Sequence, residues 1–393
     1  MTVETRSMDW RAEWTPIDDV TYLNFAAHSA APRVALEAVE KSLEAMRRPH
    51  VIDDARYFQV AADLRRSLAS LIGANPDEIA LTTGAGAGVM TVAYALPWSP
   101  GDEVLIASGE FPTMYATWKP MEARAGIKLR IVTPQDRFNC ADDLINALTP
   151  RTRLISISHV RFDDGSLLDV RRLADACKAN GTLLLLDVSQ SCGAIPMDVR
   201  SLGADFIVCA GYKYLLSPVG TGFLWIKKEH LQSLQSGPYN WETQGPQSVA
   251  QMNFVNPGPS PTMSRWDSAE AASPYNFNLT VMEASTRFVL RVGPETVRRH
   301  AQGLIGRLFA GLPQGCHVAS PMSAVERGAY GCIVADRRED TEKLYQALLA
   351  EQIVISLREG RIRIAPHLMN TEDDIDRTLE AISKATRKMH VKH

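Results

Sequence analysis

Lys213 stands in the run Ala210-Gly211-Tyr212-Lys213-Tyr214-Leu215-Leu216, between the apolar stretch Asp205-Phe206-Ile207-Val208 and the Gly-rich Ser217-Pro218-Val219-Gly220-Thr221-Gly222. Upstream, Asp187 and Gln190 follow another apolar run, Leu183-Leu184-Leu185-Leu186. A lysine held against an apolar sheet loses hydration, which favours its neutral, nucleophilic amine. Such an amine suits Schiff-base formation with a carbonyl, and an acid at a neighbouring strand end suits a protonated pyridine nitrogen. The plainer alternative is a surface lysine beside a core tyrosine, with Asp187 committed to a helix N-cap or to loop hydrogen bonds. A carboxylate directly after four leucines, however, needs a partner if it is buried.

Three further stretches carry residue types that would complete such a site. Thr82-Thr83-Gly84-Ala85-Gly86-Ala87-Gly88 ends a strand pattern and opens an apolar helical pattern at 89–96. It reads either as a phosphate cradle at a helix N-terminus or as a tight strand-to-helix turn. Its Gly-x-Gly-x-Gly spacing is not the dinucleotide fingerprint, and a nucleotide-binding reading leaves Lys213 and Asp187 without a use. Phe111, in Gly109-Glu110-Phe111-Pro112-Thr113, could lie flat on a planar ring or belong to the core. Arg363 alternates with apolar residues in Arg361-Ile362-Arg363-Ile364, either gripping a carboxylate with its planar fork or facing solvent. His28, Tyr115, His159, Arg161 and His367 are further candidates to line a cleft, and each would serve equally well in a structural role.

The elements that must position these residues follow from periodicity. Strand patterns occur at 79–83, 103–107, 128–132, 154–158, 182–187, 206–209 and 222–226, with helical patterns such as 167–180 between several of them. This alternation predicts a mostly parallel sheet covered on both faces, whose ligands sit at the carboxyl ends of the strands. Most of the polar residues named above follow a strand. Residues 231–274 are rich in Gln, Ser, Pro and Asn and read as a long excursion. Helical patterns return at 278–292 and 294–310, and a shorter α/β mixture closes on a helix at 372–389.

With 393 residues the chain can hold two domains and a large core. Charged residues at 22% and hydrophobic ones at 45% are ordinary for a globular protein. A net charge of -3 offers no field to recruit nucleic acid or an anionic membrane, and no apolar run is long enough to span one. The polar first residues lack a secretory pattern. The six cysteines are scattered, so neither a metal site nor a disulfide framework is expected, and a cytoplasmic setting is.

Together these residues resemble the class V aminotransferase branch of the fold-type I pyridoxal-phosphate enzymes. That branch includes cysteine desulfurases, kynureninases and isopenicillin N epimerase-like proteins. The resemblance runs from Tyr22-Leu23-Asn24-Phe25-Ala26-Ala27-His28 to Asn370-Thr371-Glu372-Asp373-Asp374-Ile375-Asp376, and its most specific stretch extends from 186 to 224. It implies an α/β fold with a mostly parallel central sheet, helices on both faces and a smaller C-terminal α/β domain. The expected division is a large cofactor-binding domain, 17–262, and a small domain, 263–393, with residues 1–16 packing against the latter.

By the same resemblance Lys213 forms the Schiff base with pyridoxal 5'-phosphate, and Asp187 pairs with its pyridine nitrogen. Gln190 bonds the phenolic oxygen and Phe111 stacks on the ring. Ala85, Gly86, Ala87 and the Tyr212 hydroxyl hold the phosphate. Arg363 binds the carboxylate of an amino-acid substrate, with His28 and Phe162 beside it. Trp241 and Ser268 fall in a segment that, in this family, reaches a phosphate across a homodimer with shared active sites. The family's Gly-Thr pair in that segment reads Ala269-Glu270 here.

Two departures narrow the reaction. The stretch 351–360 has no cysteine, so a persulfide relay of the desulfurase kind is not expected. The asparagine usual in desulfurases after the strand at 155–158 is replaced by Phe162, which is closer to kynureninase- and epimerase-like members, whereas Gln190 is closer to desulfurases and transaminases. The resemblance implies a reaction through an external aldimine and a quinonoid, with Lys213 as the base at Cα. An aminotransferase is the first expectation, a β-eliminating carbon–sulfur lyase the second and an epimerase the third. A cofactor-binding protein without turnover is the non-enzymatic rival.

Overall fold

Four leucines in a row leave no polar face, so a strand carrying them must be covered on both sides. The computed structural model describes residues 9–17, 19–51, 58–135, 138, 140–235, 243, 260–268 and 277–390. After a short first strand β1 (Thr21–Tyr22), seven strands build the central sheet: β2 (Ile79–Thr82), β3 (Glu103–Ala107), β4 (Lys128–Val132), β5 (Thr152–Ser158), β6 (Leu183–Asp187), β7 (Phe206–Ala210) and β8 (Gly222–Ile226). Their order is β2-β8-β7-β6-β5-β3-β4. Leu184 and Leu186 pack into one core with Leu81, Ile155, Ile207 and Phe223, while Leu185 packs into the other with Val104, Leu154, Val208 and Leu224. The period of two thus divides the leucine run between two helix-covered faces.

All seven predicted strands are present. One detail differs from a parallel sheet: β8 runs antiparallel to both β7 and β2. A short return through the Gly-rich loop after β7 leaves no room for the crossover that a parallel neighbour requires. The helix predicted at 167–180 begins at Val170, because Asp169 caps it by accepting from the Arg172 amide at 3.2 Å and Leu167 bridges to Val160. The helix predicted from residue 89 starts four residues earlier, as Ala85–Ala95. Its small residues let it press onto the sheet, and a Cβ built on Gly88 would lie 2.6 Å from Val208 Cγ1. Gly88→Ala is therefore expected to lower stability by about 1–3 kcal/mol in urea unfolding, through overpacking against β7.

A second, antiparallel sheet lies in the C-terminal third. Its strands are β9 (Cys316–Val318) and β10 (Gly331–Ala335), then, after the short β11 (Ile353–Val354), β12 (Ser356–Arg358) and β13 (Arg361–Ile364), in the order β12-β13-β10-β9. Ile333, Ile362 and Ile364 share a core with Leu344 and Leu348 of helix Arg338–Ala350 and with Ile375 and Ile382 of helix Glu372–His390. Glu359 and Gly360 join β12 to β13 with positive φ at both positions, 47° and 75°, as a two-residue hairpin loop of that twist requires. β1 pairs with β11, and Asn24 bridges to Ala365, so the first described strand hydrogen-bonds with this C-terminal part. Trp14 is buried there against Phe288 and His367. Among the described residues no helix is long and apolar enough to cross a membrane.

Candidate active site

Lys213 lies three residues beyond β7 and is buried. Its Nζ is 5.4 Å from the centre of the Phe111 ring and 5.7 Å from that of Tyr212. Burial draws the amine from its ordinary 10.5 down to about 8; Asp187 pulls it back up, and Arg363 pushes it further down. A neutral amine is thus within reach near neutral pH. Asp187 ends β6, the strand beside β7, and its Oδ1 accepts the Ser189 amide at 2.8 Å. One oxygen therefore makes the loop hydrogen bond of the plainer reading.

The chain's first segment closes one side of this group. Gln190 is buried; its Nε2 donates to the Ala26 carbonyl at 3.0 Å, and its Oε1 has no partner among the described residues. A buried amide oxygen without a hydrogen bond is costly, so this atom calls for a donor. The Ser29 amide and hydroxyl both donate to the Tyr212 carbonyl, at 3.0 and 3.2 Å. The exposed His28 ring lies 5.6 Å from the Tyr212 ring.

At the carboxyl end of β2, Gly84 (φ 152°) turns the chain into helix Ala85–Ala95, whose first turn has no side-chain cap. The amides of Ala85, Gly86 and Ala87 therefore lack intrahelical partners, and the helix dipole favours an anion there. A Cβ on Gly86 would stand 3.0 Å from Thr113 Cγ2, so only glycine fits without displacing that neighbour. Ser268 donates its amide to the Leu81 carbonyl beside this turn, at 2.9 Å. Trp241 lies outside the described residues.

The other side is aromatic and cationic. Phe111 is half-exposed and meets Phe162 edge-on, with ring centres 5.4 Å apart. Arg363 is buried on β13; its Nη1 donates to the Phe162 carbonyl at 2.7 Å, and its Nε has no partner among the described residues. The solvent-facing alternative for this arginine is thereby removed. The neighbouring Arg361 pairs with Asp163 at 2.8 Å, which locks the β12–β13 hairpin to the loop after β5.

The remaining cleft candidates fall elsewhere. His159 is buried against Ser191 Oγ at 2.9 Å, and burial draws its pKa down to about 4. His367 is buried among Trp14, Phe25 and Tyr214, and burial draws it down to about 3. Tyr115 is exposed, and Arg161 grips the Ser108 and Gly109 carbonyls. All six cysteines are buried. Burial pushes Cys140 and Cys316 up to about 11 and Cys177 and Cys332 up to about 12, which keeps these thiols unreactive. One group went unmarked in the sequence: Glu110, which accepts from Ser158 Oγ at 2.5 Å. Its signal was an acid three residues beyond a wholly buried strand.

The fold is that of the fold-type I pyridoxal-phosphate enzymes. A structure of the cystine C–S lyase C-DES in complex with its product cysteine persulfide matches with a TM-score of 0.83 at 25% identity, over 93% of this chain and 98% of that one. Residues 21–377 match the model of the family described as Aminotransferase class-V, and the chain belongs to that family. It is 28% identical to an isopenicillin N epimerase of Streptomyces clavuligerus, covering 93% of this chain and 95% of the epimerase. It is 24% identical to an uncharacterized aminotransferase, YcbU, of Bacillus subtilis, covering 82% of this chain and 83% of that protein. Membership makes the chain a pyridoxal-phosphate-dependent enzyme. The residues present fit that cofactor: a buried amine of lowered basicity, an acid on the adjoining strand end, a half-exposed aromatic face and an uncapped helix N-terminus.

Proposed function

We propose that this enzyme removes the Cα proton of an α-amino acid and that loss of a β-substituent follows, so that it acts as a β-eliminating lyase on a carbon–sulfur or similar bond. The observation that carries the proton-transfer step is the buried Lys213 amine, with Asp187 and Arg363 both acting on its charge. When bound, the cofactor joins an amine through its aldehyde and draws electrons from Cα into its ring. In this reading Lys213 would hold the cofactor, and its free amine would take the Cα proton of the substrate. Asp187 would pair with the ring nitrogen, and Phe111 would stack on the ring. Ala85, Gly86 and Ala87 hold the phosphate with their amides, assisted by the Tyr212 hydroxyl. Gln190 Oε1 accepts a hydrogen bond from the phenol, because its Nε2 is already committed to Ala26. Arg363 grips the substrate carboxylate with the donors left free by Phe162. Phe162 and His28 border the substrate.

Elimination is placed before transamination because of the likeness, over nearly the whole of both chains, to a cystine C–S lyase. It needs no reactive cysteine, in keeping with six buried ones. The aminotransferase reading rests on the likeness to the Bacillus subtilis protein. A homodimer in which Ser268 approaches the partner's phosphate belongs to the same proposal. The deciding experiment offers purified holoenzyme a panel of amino acids, including cystine. Release of keto acid, ammonia and a sulfur product, with the cofactor regenerated, supports elimination. Accumulation of pyridoxamine phosphate means transamination, and change of configuration alone means epimerisation.

The carboxylate clamp can be tested separately. Arg363→Gln is expected to lower kcat/KM for α-amino acids by about 10²-fold or more, chiefly through KM, as two charge-assisted hydrogen bonds are lost. Substrates esterified at the carboxylate should lose much less on the same substitution.

A further inference from the structure

Glu110 is a buried acid to which the proposed mechanism gives no task. It lies between β3 and helix Pro112–Ala125, directly before Phe111. Its Oε2 accepts from Ser158 Oγ at 2.5 Å, and its Oε1 is buried without a partner among the described residues. Ser158 is the last residue of β5 and the register partner of Asp187 on β6. One hydroxyl therefore separates the Glu110 carboxyl from the strand position beside Asp187.

We propose that Glu110 is a second carboxyl of the active site, a positioning residue that by gaining or losing one proton sets the electrostatic environment of Asp187 and of the cofactor's ring nitrogen. The proposal rests on the reading of Lys213 and Asp187 given above. Among the described residues, the groups facing Glu110 are Ser158 and Arg161 on and after β5, Asp187 on β6, and Cys140 before helix Ala141–Asn146. Arg161 is not its dedicated counterion, because it lies 3.3 Å from Asp163 and 3.7 Å from Asp164. Burial raises the carboxyl from 4.5 to about 7; Ser158 and Arg161 hold it down and Asp187 adds to the rise. Around neutral pH the site thus gains a second negative charge beside Asp187. That charge would favour a protonated ring nitrogen.

The test is a pH titration of the visible spectrum of the holoenzyme, for wild type, Glu110→Gln and Ser158→Ala. A transition near neutral pH is expected in wild type and should be lost in Glu110→Gln. In Ser158→Ala it should move to higher pH, because the hydrogen bond favouring the ionised carboxylate is gone. Thermal stability is followed in parallel. A raised carboxyl pKa means that the folded protein binds more protons than the unfolded chain between about 4.5 and 7. The stability of wild type relative to Glu110→Gln should therefore fall as pH rises through that window, the other titrating groups being common to both. If the stability curves differ while the three spectral titrations coincide, Glu110 is structural only and the proposal fails. If wild type forms no visible band with the cofactor, the lysine reading fails instead. Should Glu110→Gln not fold, an unshifted transition in Ser158→Ala overturns the proposal by itself.

Discussion

Lys213→Met is expected to abolish turnover while making the cofactor-free protein more stable at neutral pH. The two effects share one cause. Burial holds the amine at about 8 against an ordinary 10.5, a difference worth about 3 kcal/mol. Below pH 8 the folded protein must either bury a charge or give up a proton that the unfolded chain keeps. Between about 8 and 10.5 the unfolded chain binds more protons, so stability rises with pH through that window and the cost is fully present below it. Methionine fills the same volume and has no proton to lose, so the gain should approach about 3 kcal/mol at pH 7 and vanish towards pH 10.5. On the proposed reading Lys213 is both nucleophile and base, so turnover should fall at least about 10³-fold. Unfolding midpoints against pH measure the first effect. Steady-state rates measure the second, and mass spectrometry after borohydride reduction tests its cause, because only wild type should retain covalent cofactor. A Met variant that still retains it would remove Lys213 from the chemistry.

That prediction depends on a site whose outline was legible in the sequence for a geometric reason. Asp187 ends a predicted strand and Phe111 and Lys213 each follow one, and the carboxyl ends of neighbouring parallel strands converge. Periodicity gave those strands, down to the Leu183–Asp187 run with its two faces. It could not give direction, and the reversal of β8 escaped it, because alternation reads the same both ways. Nor could it see that the helix after β2 begins at Ala85, since a run of Gly and Ala carries no apolar stripe. Contacts made by backbone carbonyls were equally hidden: Ala26 for Gln190 and Phe162 for Arg363 depend on segments 164 and 201 residues away. Glu110 was invisible for the converse reason. An acid before Phe-Pro reads as a helix-start residue, and only the tertiary burial of its oxygen makes it a candidate.

Asp187→Asn should separate two duties of one carboxylate. The Asn oxygen can still accept the Ser189 amide, so the local turn is retained. The charge is not, and Asp187 is the leading group that holds the proton on Lys213. Its loss should carry the amine below about 8, so that cofactor capture by the apoenzyme becomes half-maximal at lower pH. On the proposed reading the same loss would leave the ring nitrogen without a negative partner. Turnover should then fall by about 10²–10³-fold, as when a preorganised electrostatic group is removed from a water-excluded site. Asp187 also raises the pKa of Glu110, so the variant should release that proton at lower pH as well. Capture rates against pH by stopped flow, together with kcat on the best substrate from the panel, check both parts. Easier capture with slower turnover requires a charge that opposes the free amine before substrate arrives and supports the carbanion afterwards. A variant unchanged in both would reduce Asp187 to the acceptor for Ser189, the plainer of its two readings.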